Sequence, residues 1–390
     1  MESKQKVTLA ILLGNLFIAF LGIGLIIPVL PTIMNEMHIS GKVVGYLTAS
    51  FALTQLIISP FAGKWVDQFG RKIIIVLGLL IFGFSEFLFG FGKTIEVLFI
   101  ARILGGVSAA FIMPAVTAFI ADITTMEARP KALGYMSAAI STGFIIGPGI
   151  GGFLAEVGTR VPFYSAGVLG AVAAILSATL LAEPARQEES ALETPDMGNK
   201  TGFGKIFVPM FFIAFMIILI SSFGLAAFES FFSLFVDHKF AFTPTDIAIA
   251  ITGGAILGAI AQVLLFDRLT QKIGEINVIR YSLVFSAILV FLMTAVDSYW
   301  AIMAVTFVVF IGFDLIRPAA TSYLSKIAGN EQGFVGGMNS MFTSIANVIG
   351  PIIGGVLFDL DINYPYYFAA VILIVGLGMA MFWKKPASLR

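Results

Sequence analysis

The 390-residue chain is 58% hydrophobic and 12% charged, with a mean hydropathy of +0.99, and its 23 basic and 23 acidic residues cancel to zero net charge. Soluble domains carry about 25% charged residues, so the composition excludes a water-coated globular protein and gives no footing for nucleic-acid binding. Cysteine is absent, which removes disulfides, thiolate metal sites and cysteine nucleophiles.

Roughly 20 apolar residues suffice to cross a bilayer as a helix. The hydropathy pattern predicts twelve spans, near 7–30, 44–63, 73–92, 96–119, 133–157, 162–182, 206–235, 246–266, 277–296, 299–324, 334–358 and 364–383. Lys4 and Lys6 precede the first, whose apolar run from Val7 to Leu30 exceeds a signal core of ~7–15 residues. It is therefore expected to be a retained span. The fold class expected is all-α integral membrane, with twelve transmembrane helices in two pseudo-symmetric six-helix halves. Residues 183–205, EPARQEESALETPDMGNKTGFGK, read as a polar linker between halves 1–182 and 206–390.

Lys and Arg accumulate on the cytoplasmic side of membrane proteins. With the N-terminus inside, the inner segments hold sixteen of the 23 basic residues and the outer segments four, Lys42, Lys93, Arg160 and Lys239. The remaining three, Arg102, Arg280 and Arg317, fall within spans. Both termini and the linker are expected in the cytoplasm. Trp65, Trp300 and Trp383 fall at span ends, where interfacial tryptophans are expected. His38 and His238 fall in short polar segments and give no support to a metal site.

An internal repeat links the two halves. GYMSAAISTGFIIGPGIGGFLAEVGTRVPFY (134–164) aligns with GMNSMFTSIANVIGPIIGGVLFDLDINYPYY (337–367), matching Gly147 to Gly350, Pro148 to Pro351 and Glu156 to Asp359. IMPAVTAFIADI (112–123) aligns with IRPAATSYLSKI (316–327). Spans four to six thus resemble ten to twelve in order and orientation, a parallel repeat common in transporters with a central cavity. Proline inside a helix removes a backbone donor, and glycine removes bulk so that another backbone can approach. The GP-xx-GG segments are expected either to form a close seam between the halves, with ITGGAILGA (251–259) as partner through Gly254 and Gly258, or to pack statically.

These motifs resemble the Major Facilitator Superfamily across essentially the whole chain. GKWVDQFGRK (63–72) matches its loop signature, and FDRLTQKIGE (266–275) is a degenerate second copy. STGFIIGPGIGG (141–152) is similar to the fifth-helix motif of its proton-coupled antiporters, here Gly143, Gly147, Pro148, Gly151 and Gly152. FGLAAFES (223–230) and FIGFDLIRPA (310–319) resemble the multidrug exporters of Gram-positive bacteria within that family. In the loop signature, Gly63 and Gly70 permit a tight turn. Asp67 can pair with Arg71 and sit against a helix N-terminus, forming a latch; alternatively the basic residues there only set topology.

Charged side chains within spans are functional candidates. Glu229 has no basic residue within seven positions and is a candidate for proton or cation binding, or a permanently neutral carboxyl. Asp314 and Arg317, three apart on one face, read as a structural ion pair or as a protonation switch. The resemblance links Arg102 to proton transfer, the alternative being an arginine anchored to backbone carbonyls. Glu86 stays outside the expected site.

One residue in ten is phenylalanine, and most such rings pack the bundle or face lipid. Phe51 with Gln55, Phe232 with Glu229, and Phe310 with Asp314 share helix faces. Together with Phe144 they make up the expected drug-binding set. Aromatic rings beside carboxylates suit hydrophobic cations with loose specificity. The function expected is proton-coupled antiport, exporting diverse hydrophobic, often cationic drugs by alternating access. It would use the proton gradient, no cofactor, no metal and no nucleic acid, in a monomer of the bacterial plasma membrane. A narrower exporter of polyamines or another metabolite is the alternative.

Overall fold

The computed structural model describes residues 3–125, 128–184, 209–328 and 332–383, and the regular elements among them are all helical. The helix α1 (Ser3–Ile26) passes through a 3-10 turn (Ile27–Val29) into α2 (Leu30–Met37). Then follow α3 (Gly41–Phe69), α4 (Arg71–Phe91), α5 (Ile95–Ile123), α6 (Arg129–Val157) and α7 (Val161–Leu180). The remainder are α8 (Pro209–Phe240), α9 (Pro244–Ile273), α10 (Glu275–Ala295), α11 (Tyr299–Ala328), α12 (Gln332–Leu360) and α13 (Tyr364–Met381). Twelve helices, α1 and α2 counted as one, are long and apolar enough to cross a membrane.

The twelve expected spans are all present, and three of their ends run well on; the eighth, expected to stop at 266, continues to Ile273. The first continues past Leu30 to Met37. Pro28 and Pro31 do not stop it, because each sits at the start of a helical segment, where its missing N–H has no partner to lose. The second runs on to Phe69, because Lys64 and Asp67 end the apolar run without ending the helix. Gly63 therefore lies inside α3 and makes no turn. The turn belongs to Gly70, at φ 100° and ψ 154°, a conformation glycine alone adopts readily. Its counterpart 204 residues on, Gly274, has φ 79° and ψ 156°.

Packing divides the described residues into two units. The first holds α1 to α7 except Ser40–Tyr46, together with Phe242–Thr252; the second holds the remainder. In the first, α1 packs on α6, α4 on α5, and α4 on α7. In the second, α8 packs on α12, α10 on α11, and α10 on α13. These are the same pairings six spans later, so the repeat extends to the first and third spans of each half, where the letters no longer show it. Of the expected linker, residues 185–205 lie outside the described segments.

The duplicated GP-xx-GG segments present two glycine faces each. In α6, side chains at Gly143 and Gly147 would strike α1, at Phe17 O 2.8 Å and Leu21 O 2.7 Å away, and Gly151 likewise faces Leu25. A side chain at Gly152 would strike Pro244 O at 2.8 Å, at the start of α9. In α12, Gly350 and Gly354 face Ala226 and Phe231 of α8, while Gly355 faces Gly41 O at 2.6 Å, at the start of α3. Glycines at matching positions thus touch matching neighbours. Gly254 and Gly258 do not take part in this packing. A side chain at Gly254 would meet Phe310 and Thr306 of α11, and Gly258 lies under Asp314. A stripe of small residues marks a close approach without naming the helix that makes it.

Carboxylates reinforce both contacts. Asp359, near the end of α12, accepts the N–H groups of Gly41 at 2.6 Å and Lys42 at 3.0 Å, so it caps α3. The free N–H groups of a first helical turn favour an anion there. Glu156, its counterpart near the end of α6, accepts from the hydroxyl of Thr245 at 2.7 Å in the first turn of α9.

Candidate functional site

The second unit brings Glu229, Asp314 and Arg317 together. Glu229 sits in α8 between Phe228 (1% exposed), Phe231 (0%) and Phe232 (1%), yet its own side chain is exposed. Asp314 and Arg317 of α11 are half-buried and exposed respectively, and Glu229 lies within electrostatic reach of both. Asp314 does not form the expected ion pair with Arg317: no N–O distance between them falls within 4.0 Å. Its Oδ2 instead occupies the space that a side chain at Gly258 of α9 would need. Glycine at 258 therefore leaves the room in which this carboxylate rests, a role the sequence pattern did not suggest.

Phe232 and Phe310 are buried beside this carboxylate pair instead of presenting open faces. Phe228 joins them, with ring centroids 5.4 Å from Phe232 and 5.7 Å from Phe310. Phe313 lies 6.0 Å away and Tyr366 6.2 Å, completing an aromatic cluster behind Glu229. No hydrogen bond or ion pair within the unit fixes Glu229 or Asp314 among the described residues.

The first unit holds the remaining expected residues. Arg102 of α5 is half-buried, and its guanidinium lies 4.6 Å from the Phe89 ring centroid. It binds no backbone carbonyl among the described residues, so the carbonyl-anchored alternative does not hold; ring stacking and Glu86 of α4 provide its surroundings. Phe51 lies over Gly105 and lines a narrow cavity with Glu86. Gln55 is half-buried one turn further along α3. Phe144 is 41% exposed and packs against Phe20 at 5.0 Å.

At the α3–α4 turn, Arg71 bonds Asp122 of α5 at 2.8 Å through Nε, Asp67 at 3.4 Å and the Val66 carbonyl at 3.3 Å. Asp122 is thus the nearer carboxylate, and it lies outside the loop signature. Glu183 accepts the N–H groups of Arg71 at 2.5 Å and Lys72 at 2.9 Å, capping α4. The degenerate copy keeps this construction with its signs reversed. Glu275, at the position of Arg71, pairs with Lys326, at the position of Asp122.

Arg280 is structural. It donates to the carbonyls of Ala380 at 2.9 Å, Met381 at 3.3 Å and Trp383 at 3.0 Å, closing the end of α13. Trp383 is buried, 3% exposed, with its ring 4.6 Å from that of Tyr323. Trp300 is 76% exposed, as an interfacial residue would be. No group of three or more His, Cys, Asp or Glu suited to a metal occurs among the described residues.

A family model described as Major Facilitator Superfamily matches residues 12–238 and 214–390. The chain is 70% identical to Multidrug resistance protein 1 of Bacillus subtilis over 99% of both chains. It is 46% identical to Quinolone resistance protein NorA of Staphylococcus aureus over 96% of both. Among solved structures, a bacterial homologue of the human lysosomal transporter Spinster superposes with a TM-score of 0.83 at 16% identity, covering 98% of this chain and 97% of that one. The nucleoside transporter NupG superposes at 0.79 and 17% identity, covering 98% and 100%.

Proposed function

The chain belongs to the Major Facilitator Superfamily, and from that premise we infer that it is a multi-pass membrane transporter exporting diverse hydrophobic, often cationic drugs against protons. The relatives carrying multidrug and quinolone resistance in their names support drug export. Direction and substrate charge rest on the site. The observation that carries the reading is the Glu229–Asp314 pair, two carboxylates that feel one another beside an aromatic cluster and lack fixed partners.

Two carboxylates that repel each other are relieved equally by a proton or by an organic cation, so the two ligands compete. Linkage then requires each to lower the other's affinity by the same factor. Aromatic rings attract a cation through dispersion and cation–π forces while demanding few directional bonds. Arg317 carries the positive charge that pairs with whichever carboxylate is left ionised. The asymmetry of sixteen basic residues against four supports cytoplasmic termini in a bacterial plasma membrane. The reading uses the proton gradient and no cofactor, in a monomer.

The test is efflux of a fluorescent hydrophobic cation from proteoliposomes under a pH gradient. Glu229→Gln and Asp314→Asn should each abolish gradient-driven efflux while the protein remains inserted and monodisperse. Efflux at the wild-type rate in both variants refutes the assignment.

A further inference from the structure

Glu86 has no part in the reading above, although it is 6% exposed in the last third of α4 and its Oε2 has no hydrogen-bond partner. That oxygen is not simply packed against hydrocarbon. The residue lines a cavity between α1, α3, α4 and α5, whose walls include Phe51, Phe82, Ile112 and Met113 and whose other side-chain polar group is Ser108. The cavity has room for about one water. Ser108 already donates to the Gly78 carbonyl at 2.8 Å, leaving its oxygen as an acceptor for that water.

The charged groups around Glu86 are few. Arg102 of α5 is in electrostatic reach. Arg160, at the start of α7, is engaged with Glu36 at 3.5 Å and with the Phe89 and Gly92 carbonyls. α1 and α3 bring no charged side chain to the cavity. An ionised carboxylate enclosed by apolar walls is stable only with a compensating cation, whereas the protonated acid needs one acceptor. The cavity has the room for a water as that acceptor, and Arg102, outside its lining, lies within electrostatic reach as the cation.

We infer that Glu86 is a proton-binding site of the first unit, separate from the Glu229–Asp314 pair. Its carboxyl O–H bond breaks toward the cavity water, the proton leaves on that water as hydronium, and Arg102 becomes the partner of the carboxylate left behind. Its contribution to export rests on the reading above, but proton binding itself does not.

The test is infrared difference spectroscopy on the full chain in liposomes, titrated between about pH 5 and 9 in light and heavy water. A protonated-carboxyl C=O band that titrates should vanish in E86Q and survive in the E229Q/D314N double variant. Glutamine is isosteric with the neutral acid, and a monodisperse elution profile confirms that E86Q is folded. R102Q provides the second measurement: without its cation, Glu86 should keep its proton to a pH about 1–3 units higher. A wild-type titration in E86Q overturns the proton site, and an unmoved band in R102Q overturns the role of Arg102. Either result leaves the export reading standing, because that falls only if the Glu229 and Asp314 variants still transport.

Discussion

The reversed ion pairs at the two helix turns make a prediction that can be worked through in numbers. Arg71 and Asp122 are each 11% exposed and 2.8 Å apart. Charge centres about 4 Å apart attract by roughly 4 kcal/mol at an effective dielectric of ~20, and desolvation cancels a large part of this. Arg71 retains Asp67 at 3.4 Å and the Val66 carbonyl, so Asp122→Asn should cost less than an isolated buried charge would, about 1.5–3 kcal/mol. Asp122→Lys places like charges together and should cost roughly 2–4 kcal/mol. Combining it with Arg71→Glu restores opposite signs in the arrangement that Glu275 and Lys326 already hold. Recovery should be incomplete, because the Glu183 carboxylate is bound at the same turn. The assay is thermal unfolding of the detergent-solubilised protein followed by size exclusion. The double variant should melt above D122K by roughly 2–4 °C per kcal/mol regained, with a coupling energy of at least about 1 kcal/mol. A double variant that melts no higher than D122K refutes the equivalence of the two turns.

Gly258→Ala would put a methyl group on Asp314 Oδ2. Overpacking of this kind costs about 1–3 kcal/mol, so organic-cation efflux should fall roughly tenfold or more with little change in the amount inserted, measured in the same proteoliposomes. Asp359→Asn weakens the charged cap on α3 and should lower stability by about 0.5–1.5 kcal/mol. That loss should appear as faster amide hydrogen exchange in the first turn of α3, and unchanged exchange there would contradict the cap.

Much of this fold was legible because a bilayer permits few solutions. The apolar runs marked every span, since a backbone crossing lipid must satisfy its own hydrogen bonds. The ends were less legible. Pro28 and Pro31 fall around the expected end of the first span, yet each opens a helical segment, and sequence pattern does not show whether a proline opens such a segment or interrupts one. The second loop copy reads as degenerate because residue identity does not persist there, although its charge pairing does. Letters diverged between Arg71 and Glu275 while the Gly70 and Gly274 conformations and the ion pairs persisted.

The candidate site was half legible. Glu229 and Asp314 stood out as carboxyls in apolar spans, and the structure places them within electrostatic reach. Gly258 did not stand out, because a glycine that makes room for a carboxylate resembles one that makes room for a helix. The burial of Phe232 and Phe310 was equally hidden: shared helix faces put rings near carboxylates without saying which of them a cluster would absorb. Glu183 and Asp122 lie 112 and 51 residues from Arg71, too far for any local pattern to join them.

A duplicated chain faces a hazard during insertion, since each helix has a near-copy that could take its place beside the wrong neighbour. The reversed signs distinguish the copies. If α4 met α11, Arg71 would confront Lys326; if α10 met α5, Glu275 would confront Asp122. Both mistaken pairings bring like charges together, and both correct ones bring opposites. The inverted pair therefore makes the two copies electrostatically non-interchangeable at this turn, although their backbones repeat.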